Sequence, residues 1–136
     1  MLRKSIVVAT LAALALGGVA LAQNAPVSPS PIKRTVVGKV EVPGSNYETI
    51  TALVEIAPGF KAGRHFHPGL VFAQVTEGEF WLAPDGKPEK IYKNGETLTL
   101  SEKQIHNEGN ASGDKWVKLV ATYVVEKGQP LVQPVK

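Results

Sequence analysis

The sequence contains no cysteine, and this absence excludes several kinds of chemistry at once. Without a thiol the chain can form no disulfide bond, offers no thiolate ligand to a metal ion and has no cysteine nucleophile. It also lacks the residue to which the lipid of a bacterial lipoprotein is attached. Aromatic residues make up only 7% of the chain, and there are only three histidines, so each histidine can be considered by its position.

Several motifs of common enzyme classes are also missing. The sequence has no G-x-S-x-G nucleophile elbow and no glycine-rich phosphate-binding loop. The lysines are scattered and form no basic stripe, so we expect no nucleic-acid partner. Glu77 and Glu79 flank Gly78 as a carboxylate pair. Positions in a turn and facing solvent account for this pair better than glycosidase chemistry does.

The longest apolar run stands at the start of the chain and has the layout of a secretory signal peptide. Arg3 and Lys4 precede a charge-free stretch, residues 6–22, which ends in the small-x-small sequence Ala-Leu-Ala. This stretch of 17 residues is short for a membrane-spanning helix, which needs about 20. We therefore predict a signal peptide over residues 1–22, cleavage after Ala22 and a periplasmic or secreted protein with no stable membrane anchor after cleavage. The alternative is an uncleaved anchor.

Removal of this leader changes the charge of the chain. The full sequence has a formal charge of +3, and loss of Arg3 and Lys4 leaves +1 on a mature chain of 114 residues. A nearly neutral chain gives no reason to expect an acidic macromolecular partner.

The mature chain divides by composition into a linker, one domain and a tail. Three prolines lie among residues 23–31, which favours an extended segment. We predict a flexible linker over residues 23–34, a single β-barrel domain over residues 35–127 and a C-terminal tail over residues 128–136.

The pattern of the domain is all-β. From Thr35 onward, runs rich in β-branched and aromatic residues are separated by Gly, Pro, Asn or Asp. No stretch of the mature chain has a convincing helical period. Short strands that are closely spaced by turns predict a β-sandwich or barrel. In two runs, apolar residues alternate with the period of two that is typical of half-buried strands: Ile50, Ala52, Val54 and Ile56, and Val117, Leu119, Ala121, Tyr123 and Val125.

A hairpin is predicted around Glu77-Gly78, with Val75 opposite Phe80. Phe72 and Trp81 would then share an outer face, covered either by a second sheet or terminal strand or by another subunit of a homodimer. The inner face, which we predict to be core, would hold Val71, Ala73, Val75, Phe80 and Leu82.

The histidines have a spacing that suits a metal site. His65 and His67 are two residues apart, so on a strand both point to the same face, about 6.5–7 Å apart. Two such imidazoles can reach one ion at the ligand distance of about 2.1 Å. His106 follows a short predicted strand and can be brought to the same ion by a neighbouring strand. Gln104 lies two residues before His106 and would face the same way, as a weak ligand, as an orienting group or as the cap of a turn.

Two motifs around these histidines resemble those of the cupins. Gly59-x5-His65-x-His67, followed by Gly78, is similar to the first cupin motif. Gly95 followed by His106-x3-Asn110 is similar to the second cupin motif. The resemblance covers about residues 36–125 and implies a small single-domain type-2 cupin, a jelly-roll β-barrel with a metal ion near its mouth. It also implies that His65, His67 and His106 are the histidine ligands.

The sequence departs from the cupin pattern at two places. The first motif usually has a glutamate ligand at the positions that here hold Val71 and Phe72, neither of which can bind a metal. The second motif usually has Pro-x-Gly before its histidine, where this chain has residues 101–103, Ser-Glu-Lys. We therefore predict a three-histidine site with open coordination positions, which is typical of catalytic rather than structural metal sites.

These features predict a protein that binds one divalent ion (Fe, Mn, Zn, Ni or Cu) and a small-molecule ligand. The ion would act as a Lewis acid or, if it is iron, as an oxygen-activating centre. Metal-dependent dioxygenase chemistry is the first hypothesis. A non-catalytic binding module and a sugar or keto-acid isomerase are the alternatives. The residues expected to line the pocket or support the ligands are Val71, Ala73, Phe80, Leu82, Gln104 and Asn110.

Overall fold

A computed structural model describes residues 29–136, so the predicted signal peptide, its cleavage site and residues 23–28 of the predicted linker lie outside the described residues. The described chain is all-β, as predicted. It forms two five-stranded antiparallel sheets, ordered β1-β2-β9-β4-β7 and β10-β3-β8-β5-β6. The strands are β1 (Ile32–Glu41), β2 (Tyr47–Ile56), β3 (His65–Phe66), β4 (Leu70–Glu77), β5 (Glu79–Pro84), β6 (Lys90–Lys93), β7 (Thr97–Leu100), β8 (His106–Asn110), β9 (Val117–Glu126) and β10 (Gln133–Pro134).

The core lies between the inner faces of the two sheets. The period-two alternation in β2 and β9 places their predicted inward residues in this core, because side chains on a strand alternate between its two faces. The two strands pair along their full length, with Ala52 opposite Ala121. Phe80 and Leu82 of β5 bring the second sheet into the same cluster. The sheets thus form the two layers of one packed β-structure.

The hairpin predicted at Glu77-Gly78 is wrong. β4 pairs with β7 and β9 in one sheet, whereas β5 pairs with β6 and β8 in the other. Gly78 has a φ of 80°, and a Cβ added there would lie 2.8 Å from the carbonyl oxygen of Trp116, so the chain needs a glycine where it crosses between the sheets. The predicted inner residues are nevertheless buried, because Val75 and Phe80 face the core from opposite sheets.

Phe72 and Trp81 therefore do not form one patch. Phe72 is 51% exposed on the outer face of the first sheet. Trp81 lies in the second sheet, where the Lys61 Nζ atom sits 4.1 Å from its ring centroid and its indole N–H donates to Glu89. The predicted subunit interface assumed that these two aromatics share one face, and they do not, because they lie in different sheets.

Both ends of the described chain contribute to the sheets. β1 begins at Ile32, which pairs with Ile56, so strand structure starts inside the segment predicted as linker. At the other end, Gln133 and Pro134 pair with Phe66 and His65 from inside the segment predicted as tail. Residues 29–136 include no helix with the length and hydropathy to cross a membrane.

Candidate metal centre

The three predicted histidines meet at the junction of β3 and β8. His65 and His106 are directly opposite each other in this antiparallel pair, and His67 follows β3 immediately. Glu108 lies two residues after His106, on the same face of β8. All four side chains are buried, and one ligand atom from each lies within 4.8 Å of the others. The four residues form a buried potential metal site.

Backbone carbonyls orient the three rings. The Nδ1 atoms of His65, His67 and His106 lie 2.8, 2.7 and 2.8 Å from the carbonyl oxygens of Gly63, Leu131 and Gln104, respectively. A carbonyl only accepts, so each Nδ1 carries the proton and donates it. The Nε2 atom of each ring is then left with its lone pair, which is the state that a metal ligand requires.

The Nε2 atoms and the Glu108 carboxylate fit an ion better than they fit one another. His65 Nε2 lies 3.6 Å from Glu108 Oε1, and His106 Nε2 lies 3.5 Å from Oε2, both too long for hydrogen bonds. Within residues 29–136 these two buried nitrogens have no hydrogen-bond partner. Four ligands placed tetrahedrally at about 2.1 Å from an ion are about 3.4 Å apart, close to these two distances. An ion would satisfy lone pairs that are otherwise costly to bury.

The protonation states also suit a cation. Burial lowers the pKa of His65, and it lowers the pKa of His67 to about 4 against the opposing attraction of Glu108. Burial alone would raise the pKa of Glu108, but the contact with His106 and the positive charge that the imidazoles carry when they are protonated outweigh burial and lower that pKa to about 2. At neutral pH His65 and His67 are therefore neutral and Glu108 is ionised.

A glycine beside Glu108 lets a loop cross β8 and hold it. A Cβ added at Gly109 would lie 2.3 Å from the Phe60 carbonyl oxygen, so no larger residue fits. The backbone N–H of Ala62 donates to the Glu108 carbonyl at 2.8 Å, and that of Asn110 donates to the Phe60 carbonyl at 2.9 Å. These bonds fix the backbone on both sides of the carboxylate.

Glu108 is the member of the site that the sequence analysis missed. The glutamate that cupins carry near Val71 is replaced by one from a different strand, and Val71 itself is buried in the core. The sequence does contain a pattern that indicates Glu108. It lies two residues after His106, as His67 lies two residues after His65, and on a strand such residues face the same side. The structure therefore offers a three-histidine, one-carboxylate site in place of the three-histidine site that we predicted.

Gln104 and Asn110 take up positions away from the ligand atoms. Gln104 lies in the turn before β8, where its Oε1 atom accepts from the Ser101 N–H at 3.2 Å. Its side chain therefore caps the turn and does not face the site. Asn110 Nδ2 donates to the carbonyls of Ile56 (3.0 Å) and Lys115 (2.6 Å), which ties the end of β8 to the end of β2.

A small cavity adjoins the site inside the barrel. Its volume is about 20 Å³, enough for one water-sized ligand. His67, Glu108 and Tyr123 supply its polar wall. Of the four apolar residues expected in the pocket, Val71, Ala73 and Phe80 line this cavity, whereas Leu82 is buried in the core and does not line it.

Comparison with known proteins supports the fold. No protein-family model and no curated protein sequence matches this chain. Solved structures that resemble it include a cupin-like protein of Thermotoga maritima, with 24% identity, a TM-score of 0.59 and coverage of 76% of this chain and 74% of that one. The DMSP lyase DddQ of Ruegeria pomeroyi matches at 13% identity and a TM-score of 0.63, over 77% of this chain and 52% of the lyase. An oxalate oxidase in complex with the substrate analogue glycolate matches at 20% identity and a TM-score of 0.60, over 80% of this chain and 57% of the oxidase.

These likenesses confirm the cupin-like β-fold that the two sequence motifs predicted. This chain spans little more than half the length of the lyase and of the oxidase.

Proposed function

We propose that this protein binds one divalent metal ion through Nε2 of His65, His67 and His106 and a carboxylate oxygen of Glu108. The observation that carries the proposal is the pair of buried, unpartnered Nε2 atoms, within the described residues, that face a buried ionised carboxylate. Three imidazoles and one carboxylate suit iron, manganese, zinc, nickel or copper better than magnesium or calcium, which prefer oxygen ligands.

We further propose that the ion serves a metal-dependent enzyme acting on a small oxygen-bearing molecule, with dioxygenase chemistry the first hypothesis. When bound, such an ion supplies Lewis acidity to a substrate oxygen or, if it is iron, reactivity toward oxygen. The chain holds the three rings by their Nδ1–H groups and contributes the one negative charge, Glu108. Apolar walls around the small cavity exclude bulk water, which strengthens electrostatic interactions at the site. That the solved relatives of this fold include a lyase and an oxidase supports an enzyme over a structural metal site.

The size of the interior cavity favours a second candidate, a non-catalytic module that binds a metal or a small ligand. A cavity of about 20 Å³ holds a water molecule but no organic substrate beside the ion. The isomerase alternative needs a sugar or keto acid at the same place, and this structure gives it no additional support.

Metal analysis followed by turnover assays tests the proposal. Elemental analysis of the purified mature protein should find about one equivalent of a transition metal. The H106A variant should hold far less, and the E102Q variant, which alters an exposed glutamate near the site in sequence, should match the wild type. A wild-type protein reconstituted with each candidate metal and still without one equivalent would contradict the metal site.

If the protein holds iron, oxygen uptake with diketones, thiols and phenols separates the two candidates. Substrate-dependent oxygen consumption that H106A abolishes supports the dioxygenase. A compound that raises the melting temperature but is never converted supports the binding module.

Export is proposed separately from the sequence of residues 1–22. Mass spectrometry of the protein recovered from the periplasm or medium of a bacterial host should give a chain that begins at Gln23. A full-length chain retained in the membrane fraction would support the uncleaved anchor instead.

A further inference from the structure

A pocket of about 160 Å³ lies beside His65, on the chain segments that border the metal centre. It is formed by β1, the segment that leads into β3, and the C-terminal segment around β10. Ile32, Phe60 and Val132 give it apolar walls, and Arg34 and Arg64 are its charged members. Unlike the interior cavity, it has room for an organic molecule of several non-hydrogen atoms.

Arg34 enters this pocket from an inward-facing position of β1, opposite the buried Val54. Its side chain is only 22% exposed, and its Nη2 atom lies 3.4 Å from Glu108 Oε1. Its buried Nε atom has no hydrogen-bond partner within residues 29–136. A guanidinium carries five N–H donors and stays charged, so its contacts with the Glu108 carboxylate and with the Tyr123 hydroxyl leave some of its donors unused, among them the buried Nε–H.

Arg64 is already paired at the surface. Its guanidinium binds the Asp85 carboxylate, with Nε 3.3 Å from Oδ1, and both side chains are largely exposed. Two nitrogens of Arg64 are bonded to Asp85, whereas the buried Nε–H of Arg34 has no partner among the described residues, so Arg34 is the arginine of this pocket with a donor left for a ligand.

The charge balance of the site favours an anion. Glu108 and Arg34 cancel each other, and the three imidazoles are neutral as metal ligands. A divalent ion would therefore leave the site with a net charge of about +2 in apolar surroundings. Without the ion, Glu108 still neutralises only one side of a guanidinium that can form bidentate contacts.

We propose that this pocket binds the carboxylate of a small organic acid, with Arg34 as the anchor and the apolar wall covering the hydrocarbon part. The proposal deepens the proposed function, because it names small carboxylates as the ligand class and places them beside metal ligand His65. The carboxylate site itself depends on Arg34 and can be tested with and without metal.

Propionate is a suitable probe because it has one carboxylate and an apolar tail, and titration of the metal-free protein separates its binding in the pocket from binding to the ion. Its uncharged counterpart is propionamide. Calorimetric or NMR titration of the zinc-loaded and metal-free protein should show that propionate binds at least tenfold more tightly than propionamide. Equal binding of the two compounds to the wild type would overturn the proposal without the use of any variant.

Substitutions then assign the binding to Arg34. R34Q should weaken propionate binding by roughly tenfold to a hundredfold, the loss expected for a charge-assisted hydrogen bond. R34K, which keeps the charge but not the planar fork, should fall between R34Q and the wild type. The matched control is K33Q, which makes the same charge change on the neighbouring residue of β1. The exposed Lys33 side chain pairs with Glu55 on the opposite face of the strand. The propionate affinity of K33Q should stay within about twofold of the wild-type value.

Metal content separates this proposal from the proposed function. If the wild type holds no metal but binds propionate through Arg34, the metal site fails and the pocket stands. If R34Q binds propionate as tightly as the wild type does, Arg34 is not the anchor and the pocket assignment is overturned. It is also overturned if R34Q loses its metal along with propionate, because Arg34 would then act only by holding Glu108.

Discussion

Replacement of Glu108 by glutamine removes one negative charge from the candidate metal centre and keeps the shape of the side chain. In the structure the Glu108 carboxylate oxygens lie 3.6 Å from His65 Nε2 and 3.5 Å from His106 Nε2. An ion bound by these side chains would lie about 2.1 Å from a Glu108 oxygen. At an effective dielectric constant of 20, a single negative charge attracts a divalent ion at that distance by about 16 kcal/mol.

Most of this attraction is offset by the loss of hydration of both partners. Removal of one partner from a buried charge pair typically costs about 3–5 kcal/mol. We therefore expect E108Q to weaken metal binding by roughly two to three and a half powers of ten, while the histidines still hold some metal.

Competition with a chromophoric chelator measures this change directly. Zinc or manganese affinity would be compared for wild type, E108Q and the exposed control E102Q, with circular dichroism as a check of folding. E102Q should match the wild type, because its carboxylate is exposed on the loop before β8. An E108Q affinity within threefold of the wild type would show that Glu108 is not a metal ligand and would leave the three histidines predicted from the sequence as the ligand set.

Three further predictions follow from other contacts. Deletion of residues 131–136 removes the carbonyl that orients His67, so metal affinity should fall about tenfold to a hundredfold, and an unchanged affinity would show that Leu131 does not fix the ring. N110A removes three side-chain hydrogen bonds, two donated to the carbonyls of Ile56 and Lys115 and one accepted from the Ser112 N–H, so it should lower the free energy of unfolding by about 2–3 kcal/mol while leaving metal stoichiometry unchanged. Loss of metal at full stability would contradict this role. The folded state holds the pKa of His67 at about 4, below its ordinary value, so the unfolded chain binds more protons between pH 6.5 and 4 and stability falls as the pH is lowered through that range. Urea unfolding of the metal-free protein should lose about 2 kcal/mol between pH 7 and pH 4.5, and equal midpoints would contradict the buried neutral imidazole.

The sequence predicted the elements that follow from a simple period. The alternation in β2 and β9 is sustained along each strand, and one face of each strand is buried. The residues that face inward were therefore predicted correctly. The pairing of β4 with β5 was wrong because the alternation is the same whether Gly78 makes a hairpin or a crossing between sheets. A face pattern gives the side on which a residue lies but not its neighbouring strand.

The site was predictable in part for the same reason. His65, His67 and His106 followed from spacing and from the cupin motifs. Glu108 was not predicted, because the cupin pattern has its glutamate ligand at the position of Val71, which lies on another strand. The support from the Leu131 carbonyl comes from a segment without a sequence pattern. The strand that follows Leu131, β10, has only two residues and is positioned by its pairing with β3 rather than by local preference.

The most direct test of the metal centre is a crystal structure of the metal-loaded mature protein with anomalous diffraction data collected at the absorption edge of the bound metal. We predict one anomalous peak about 2.1 Å from Nε2 of His65, His67 and His106 and from a carboxylate oxygen of Glu108. A peak elsewhere, or an ion held by the three histidines with Glu108 turned away toward Arg34, would contradict the four-ligand site.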